Sequence, residues 1–561
     1  MVKRILTFFN KEFNGVNEAA LLLGGFAFLS QLLGMVRDRT LAHVVGAGPV
    51  LDVYYAAFRI PDFLYISIAS LASVTVLMPF LIDKINNGPQ KADDARRFLN
   101  SIFSAYMLFM VGVSIVVALF MPHIARWIAP GFTEAQLDSL VMISRIMLLS
   151  PIFIGLSNLI GTITQLFRNF FVFSLSPVFY NIGILFGIVY LYPRVGIAGL
   201  GWGVITGAIL HLAIQIPTVI KHRFFPTFSR ITWSEVRSVV STSLPRTFTL
   251  SSNSLAFIVL IAMASTLVPG SISLFTFSYN LQSVPVGIIG ISYSVAAFPL
   301  LVQSFSKKDM GNFIGHIIGA AKQIVFWSLP AMALLVVLRA QIVRVVLGSN
   351  AFSWSDTRLT AAAAALFIVS LVSQGLVLLF VRGYYATGNT KKPLIVNVSS
   401  SILVIILASV FVFLFRHYPM MLSLMEGLLR VKDVPGTIML ALPLAYASGS
   451  LINFFLIWVL FKKDFIRGVH SGLSVTFVQS ALGAVAMGSV AYICLDLFDD
   501  VFMLSTGWGV FLQGFFSGVI GIAFGVVVLT LLGSRELATL LQTLTKKLWR
   551  KQTIAPEQKE L

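Results

Sequence analysis

LSQLLGMVRDRTLAHVVGAGPVLDVYYAAFRIPDFLYISIASLASVTVLMPF, residues 29–80, is two long apolar segments joined at the turn Gly46-Ala47-Gly48-Pro49. The first segment carries Arg37, Asp38 and Arg39, and the second carries Arg59 and Asp62. An arginine facing lipid at the bilayer centre costs between about 3 and 17 kcal/mol depending on the method, so charges at such depth face a wet cavity or a charged partner. These arginines are therefore expected to line a water-filled chamber and to receive an anion there.

The remainder of the chain has the same character. Of 561 residues 57% are hydrophobic and 11% charged, and the mean hydropathy is +0.90, far from the roughly one-quarter charged content of soluble domains. The apolar runs are long enough to cross about 30 Å of hydrocarbon as helices, which excludes the alternating ten-residue strands of a membrane barrel. The formal charge of +18 gathers on no soluble segment large enough to hold a nucleic-acid domain, so no nucleic-acid partner is expected. It fits instead the bias of cytoplasmic loops toward Lys and Arg and their attraction to anionic headgroups of the phospholipid bilayer. Cys494 is the single cysteine and can form no intramolecular disulfide.

Apolar runs bounded by charge or by Pro and Gly divide the chain into about fourteen spans. Residues 1–16 read as a basic amphipathic segment lying on the membrane, and 17–221 as a first lobe of six spans. A cytoplasmic linker (222–235) leads to a second six-span lobe (236–462), followed by two further spans (473–533) and a basic cytoplasmic tail (534–561). Most Lys and Arg fall on one side if both termini are cytoplasmic. The halves repeat weakly: each has a proline inside its second span, Pro61 and then Pro285, and a short glycine-containing turn after its third. The expected fold is thus all-α and integral to the membrane, with two pseudo-symmetric six-helix lobes around a central cavity and two extra C-terminal helices. Within the second lobe, between its last two spans, residues 417–433 are amphipathic and predict a surface helix on the outer leaflet.

Arg37 and Arg39 point about 200° apart on a helix. Arg37 either faces the cavity or locks the first two spans together through an acid; Arg39, nearer the outer end, would snorkel or pair with Asp38 or Asp52. Arg59 stands two residues before Pro61, where a bent helix bearing a cation suits a gate or a phosphate ligand. Arg246 lies in a polar strip with Thr247, Thr249, Ser251, Ser252 and Asn253, which suits cavity lining. A guanidinium donates two parallel hydrogen bonds and keeps its charge, properties that match a diphosphate. Asn253, Asn397 and Ser401 are weak candidates for a monovalent cation site, since no carboxylate accompanies them. No Cys/His metal spacing, phosphate-binding glycine loop or catalytic triad is present, so neither an enzyme nor a cofactor-dependent protein is expected.

LLGMVRDRTLAHVVGAGPVLDVYYAAFRIPDFL resembles the opening signature of the MurJ/MviN family of lipid II flippases, in the multidrug/oligosaccharidyl-lipid/polysaccharide exporter superfamily. Further resemblances follow in order: Ile128 to Phe132, Ser176-Pro177 with Tyr180-Asn181, Pro285 to Gly290, Phe298-Pro299-Leu300, and Gly383 to Pro393. The resemblance implies a cationic cavity that grips a lipid diphosphate, with Arg37, Asp52 and Arg59 at family positions and the last two spans extending a groove for an isoprenoid tail. Other positions depart from the family. Gln31 stands where an arginine is usual, Tyr65 and Ile66 near basic positions, Ser70 near an acidic one, and Asn280 and Ser283 where span eight usually has an arginine and a glutamate.

The expected function is flipping of an undecaprenyl-diphosphate-linked glycopeptide lipid from the inner to the outer leaflet of a bacterial cytoplasmic membrane. Arg37, Arg59, Arg246, Asp52 and Asn280 would contact substrate, and Asp38, Arg39, Pro61 and Pro285 would support the cavity or gate. Membrane potential or a monovalent cation would drive the step. The alternatives are export of another lipid-linked polysaccharide or of drugs, and a non-transporting scaffold for cell-wall synthesis proteins.

Overall fold

The computed structural model describes residues 16–68, 74–87, 92–466 and 472–549, apart from the side chains of 16–23, 74, 75, 87, 245, 246, 249 and 543–549. The interfacial segment expected at 1–16 lies outside the described residues except for Val16, as does the end of the tail. Every described element is helical. Among the described residues ten helices, or eleven if Trp354–Val369 and Leu371–Ala386, bent by 42°, form one span, are long and apolar enough to cross a membrane. The first, second and seventh expected spans each include residues or side chains outside the described ones; the described part of the second is broken at Phe58, and that of the seventh includes the apolar stretch Leu250–Ser265.

The chain divides into two compact units. One contains the described residues of Met1–Val284, Val343–Phe367 and Gly388–Asn453; the other contains those of Pro285–Ile342, Ile368–Thr387 and Phe454–Leu561. The first draws on spans from both sequence halves, whereas the second holds only residues from Pro285 onward.

The first unit opens with α1 (Val16–Val44), α2 (Pro49–Ala57), α3 (Arg59–Ser67) and α4 (Val74–Asn87). Gly46 makes the turn before α2 at φ +77°, and a Cβ there would sit 2.6 Å from the Ala351 carbonyl oxygen, so only glycine fits. Pro49 starts α2 where its missing N–H costs nothing. The second span breaks at Phe58, and Pro61 lies in the first turn of α3. Then come α5 (Ala92–Ile128), α6 (Glu134–Met147), α7 (Leu149–Leu166), α8 (Phe170–Phe186) and α9 (Ile197–Ala213), with a π turn at Gly187–Leu191. Gly183 and Gly187 face Gly207 and Gly203; a Cβ on Gly183 would lie 2.2 Å from the Gly207 nitrogen. Small residues four apart on both helices let the backbones of α8 and α9 touch, the device that joins helices where no hydrophobic effect can.

From the second half this unit takes α10 (Trp233–Ser265) and α11 (Ser271–Pro285). Val239 of α10 joins a buried cluster with Leu77, Phe98, Ile102, Ile160 and Ile163. Ser67 and Ser251 bond hydroxyl to hydroxyl at 2.9 Å, and Lys84 Nζ meets Glu235 Oε1 at 2.8 Å. Glu235 holds the Lys84 ammonium above its ordinary pKa through that hydrogen bond.

In the second unit Pro285 leads into a π turn, Val286–Ile291, and then α12 (Ser292–Ser306) and α13 (Met310–Val337). The bulk of α14 (Arg339–Leu347) and of α15 (Trp354–Val369) returns to the first unit, whereas α16 (Leu371–Ala386) belongs to the second. The first unit is completed by α17 (Lys391–His417), α18 (Pro419–Leu429) and the start of α19 (Ala441–Phe465). Helix α18 falls where the amphipathic surface helix is expected, and it leaves Met420, Leu424 and Leu428 exposed. Helices α20 (Leu473–Leu497), α21 (Gly507–Leu531) and α22 (Arg535–Trp549) close the chain, with α20 packed between α13 and α21.

Candidate functional site

Helices α1, α8, α11 and α14 wall a cavity of about 230 Å³ within the first unit, lined by Gln31, Arg37, Asp38, Asn181, Asn280 and Ser283 among others. Nε and Nη2 of Arg37 both donate to Asp38 Oδ1, at 3.0 and 2.9 Å. Asp38 Oδ2 accepts from Asn280 Nδ2 at 2.9 Å. The remaining guanidinium nitrogen, Nη1, stands 3.5 Å from Asn181 Oδ1, and Asn181 is itself held by the Pro177 carbonyl at 3.1 Å and Ser30 Oγ at 3.3 Å.

Arg37, Asp38 and Asn280 are therefore brought together from spans one and eight. In this state the Arg37 charge is balanced by Asp38, and the Arg37 side chain keeps 24% of its accessible surface against 8% for Asp38. A carboxylate shared between a guanidinium and an amide is fully solvated by protein, as burial requires. The free edge of Arg37 is the part of the cluster able to donate to a further anion.

The other candidates lie elsewhere. Asp52 is 3% exposed and lines no part of this cavity; its oxygens accept from the backbone nitrogens of Gly270 and Ser273, at 2.6 and 2.8 Å, and from the Ser273 hydroxyl. It sits at the N-terminus of α11, where unsatisfied N–H groups attract an anion. Arg39, expected from sequence to snorkel or to pair with Asp38 or Asp52, pairs with neither, since both acids are already engaged. It donates to the carbonyls of Val345 and Val346 in the last turn of α14, where orphan carbonyls favour a cation.

Arg59 Nε returns to the Tyr55 carbonyl at 3.1 Å, and its guanidinium carbon stands 4.9 Å from the centre of the Phe257 ring. Arg246 lies on α10, and its side chain is outside the described residues, as are those of Pro245 and Thr249. The polar strip around it is spent partly on contacts: Ser251 on Ser67, Asn253 Oδ1 on the Ser401 hydroxyl at 3.0 Å, and Ser252 on its own helix. Asn397 Oδ1 accepts from Asn453 at 3.1 Å rather than joining Asn253 and Ser401. Among the described residues no cluster of three His, Cys, Asp or Glu side chains could hold a metal. Sequence reasoning did not single out Asn181 as a site residue, although it lies within the Tyr180-Asn181 pair.

A polytopic helical bundle with a buried guanidinium–carboxylate–amide cluster on an internal cavity has the form of a membrane transporter. Its structure is similar to an inward-facing multidrug resistance MATE family transporter of the MOP superfamily, with a TM-score of 0.61 at 14% identity over 79% of this chain and 96% of that one. A closer likeness is to a lipid II flippase MurJ in an inward closed conformation, with a TM-score of 0.72 at 23% identity over 93% of this chain and all of that one. The chain belongs to the lipid II flippase MurJ family, whose model matches residues 41–507. A curated relative, lipid II flippase MurJ of Burkholderia cenocepacia, is 24% identical over 495 residues, which cover 86% of this chain and 90% of the relative.

Proposed function

We propose that this chain is a lipid II flippase, carrying the undecaprenyl-diphosphate-linked glycopeptide precursor of peptidoglycan from the inner to the outer leaflet of a bacterial cytoplasmic membrane. The observation that carries the reading is the family match across residues 41–507, and the cluster of Arg37, Asp38 and Asn280 supplies the chemistry. The substrate diphosphate takes the free edge of Arg37. Asp38 keeps Asn280 as its partner while Arg37 turns to the phosphate, so no buried carboxylate is left bare when the anion enters.

Both termini are cytoplasmic, and the chain performs no bond chemistry of its own. The membrane potential assists the loaded step: outward movement of negative charge across an inside-negative membrane gains about 2.3 kcal/mol per charge per 100 mV. Cell-wall synthesis proteins that consume the lipid at the outer face are the natural partners.

The test is rescue of cells depleted of their own flippase, with membrane abundance of each variant matched by immunoblot. The wild-type chain restores growth, Arg37→Ala does not, and Arg37→Lys restores it weakly because a point charge replaces a planar fork. Growth of the Arg37→Ala strain at the wild-type rate would refute the reading. Flipping of labelled lipid II in reconstituted vesicles, with and without an imposed potential, separates transport from scaffolding.

A further inference from the structure

A second cavity, of about 260 Å³, lies inside the first unit among α2, α3, α6, α7, α8 and α9. Its polar lining comes from Asp62, Tyr65, Ser150, Tyr180 and His211. None of these residues belongs to the Arg37 cluster. We propose that this cavity binds a single positive charge, a proton or a sodium ion, on the Asp62 carboxylate.

The first ground is the state of Asp62. Among the described residues its carboxylate has no hydrogen bond and no ion pair. Arg59 and Arg37 act on it through space without a salt bridge: Arg59 donates to the Tyr55 carbonyl and stands over the Phe257 ring, and Arg37 pairs with Asp38. Asp62 is exposed and lines this cavity; a carboxylate within an apolar span with no salt-bridge partner is costly, and either protonation or a bound cation lowers that cost.

The remaining charged and titratable groups on the surrounding helices leave this reading in place. Asp52 is taken up by α11, Arg145 donates to the Ala118 carbonyl, and Glu235 holds Lys84. Asp138 lies near the start of α6, Arg237 near the start of α10, and Tyr54 and Tyr55 are buried on α2. Arg246 is on α10 with its side chain outside the described residues.

The second ground is the donor set. The Asp62 carboxylate, the Ser150 hydroxyl and the phenols of Tyr65 and Tyr180 offer the oxygen ligands that a hard cation takes. Tyr65 Oη accepts from Asn158 Nδ2 at 2.8 Å, which fixes the position of that phenol. His211 Nδ1 is engaged with Ser157 Oγ at 2.7 Å, and Gln215 Nε2 donates to the same hydroxyl, which fixes the orientation of the imidazole ring. In the proton case the proton leaves bulk water and adds to a carboxylate oxygen of Asp62; in the sodium case that oxygen and the neighbouring hydroxyls replace hydration water.

The experiment uses the purified full chain in detergent, with two readouts. Infrared difference spectra across a pH step report a protonated carboxyl, and thermal unfolding in sodium chloride against choline chloride reports sodium. For a proton, wild type and Asp38→Asn both show the acid band, Asp62→Asn lacks it, and Asp62→Glu moves it. For sodium, the unfolding midpoint rises with sodium but not choline, and Asp62→Asn needs about tenfold more sodium or more for the same rise. Absence of both responses in the wild-type protein overturns the proposal, as does survival of both in Asp62→Asn. If Asp62→Asn does not fold, the band shift in Asp62→Glu decides the proton case and the sodium response of Tyr65→Phe decides the other. Neither readout requires lipid, so failure here is distinct from failure of the flippase reading.

Discussion

Asn280 Nδ2 donates to Asp38 Oδ2 at 2.9 Å, joining residues 242 positions apart in sequence and belonging to opposite halves of the chain. The bond fixes the carboxylate that in turn holds Arg37. Asn280→Ala should lower stability by about 1–3 kcal/mol, because a buried carboxylate oxygen loses its donor. Asp38→Asn in the same chain should cost less than the two separate effects added together, since the bond is then already absent. Thermal unfolding of the four proteins in detergent checks the cycle, and strict additivity would count against the pairing.

Asp52 joins α2 to the start of α11 through three hydrogen bonds. Asp52→Ala leaves two buried N–H groups unsatisfied and is expected to destabilise by about 3 kcal/mol, while Ser273→Ala is expected to cost about 1 kcal/mol. The same unfolding measurement distinguishes them. A loss of transport in Asp52→Ala without a fall in stability would instead place Asp52 in direct contact with substrate.

Gly187 and Gly203 oppose one another so closely that a Cβ on Gly187 would lie 2.3 Å from the Gly203 Cα. Gly203→Leu should force α8 and α9 apart and destabilise by about 2 kcal/mol or more, whereas Gly24→Ala, where nothing lies within 4 Å, should be neutral or slightly stabilising. Unfolding midpoints of the two variants provide the comparison.

Arg358 grips Asp433 with two nitrogens, at 2.6 and 2.7 Å, beside the end of α18. The hydrogen bond from Arg358 holds the Asp433 carboxyl below its ordinary pKa. A carboxyl so depressed contributes stability that is complete above its unfolded value and is lost as pH falls through the folded one. Amide exchange in α18, corrected for intrinsic rates, should therefore stay flat from pH 7 to about 4 and rise below it. Asp433→Asn should show faster exchange already at pH 7.

The sequence made the membrane-spanning helical class plain, because runs of twenty apolar residues have no other stable solution. It also pointed to Arg37, whose charge in the middle of such a run demanded a partner. It could not show that the partner is the adjacent Asp38, since neighbours on a helix point about 100° apart and only a flexible arginine can fold back. Asp52 looked like a site residue because it stands at a position the family resemblance singles out; its use at the start of α11 depends on contacts 218 and 221 residues away. Asp62 stood out only as a charge near Arg59 and His211 not at all; only the packing of α3 against α7 and of α9 against α8 places them in one cavity.

Pro285 ends α11 and is followed at once by the wider turn Val286–Ile291. Such a turn accommodates one residue more than the regular coil, so the side chains after it are out of phase with those before it by about 100°. Shifting the extra residue one step along the span would rotate the intervening side chain onto another face without lengthening the helix. A long apolar rod thereby gains a swivel at the point where Asn280 and Ser283 give way to the run beginning at Ser292.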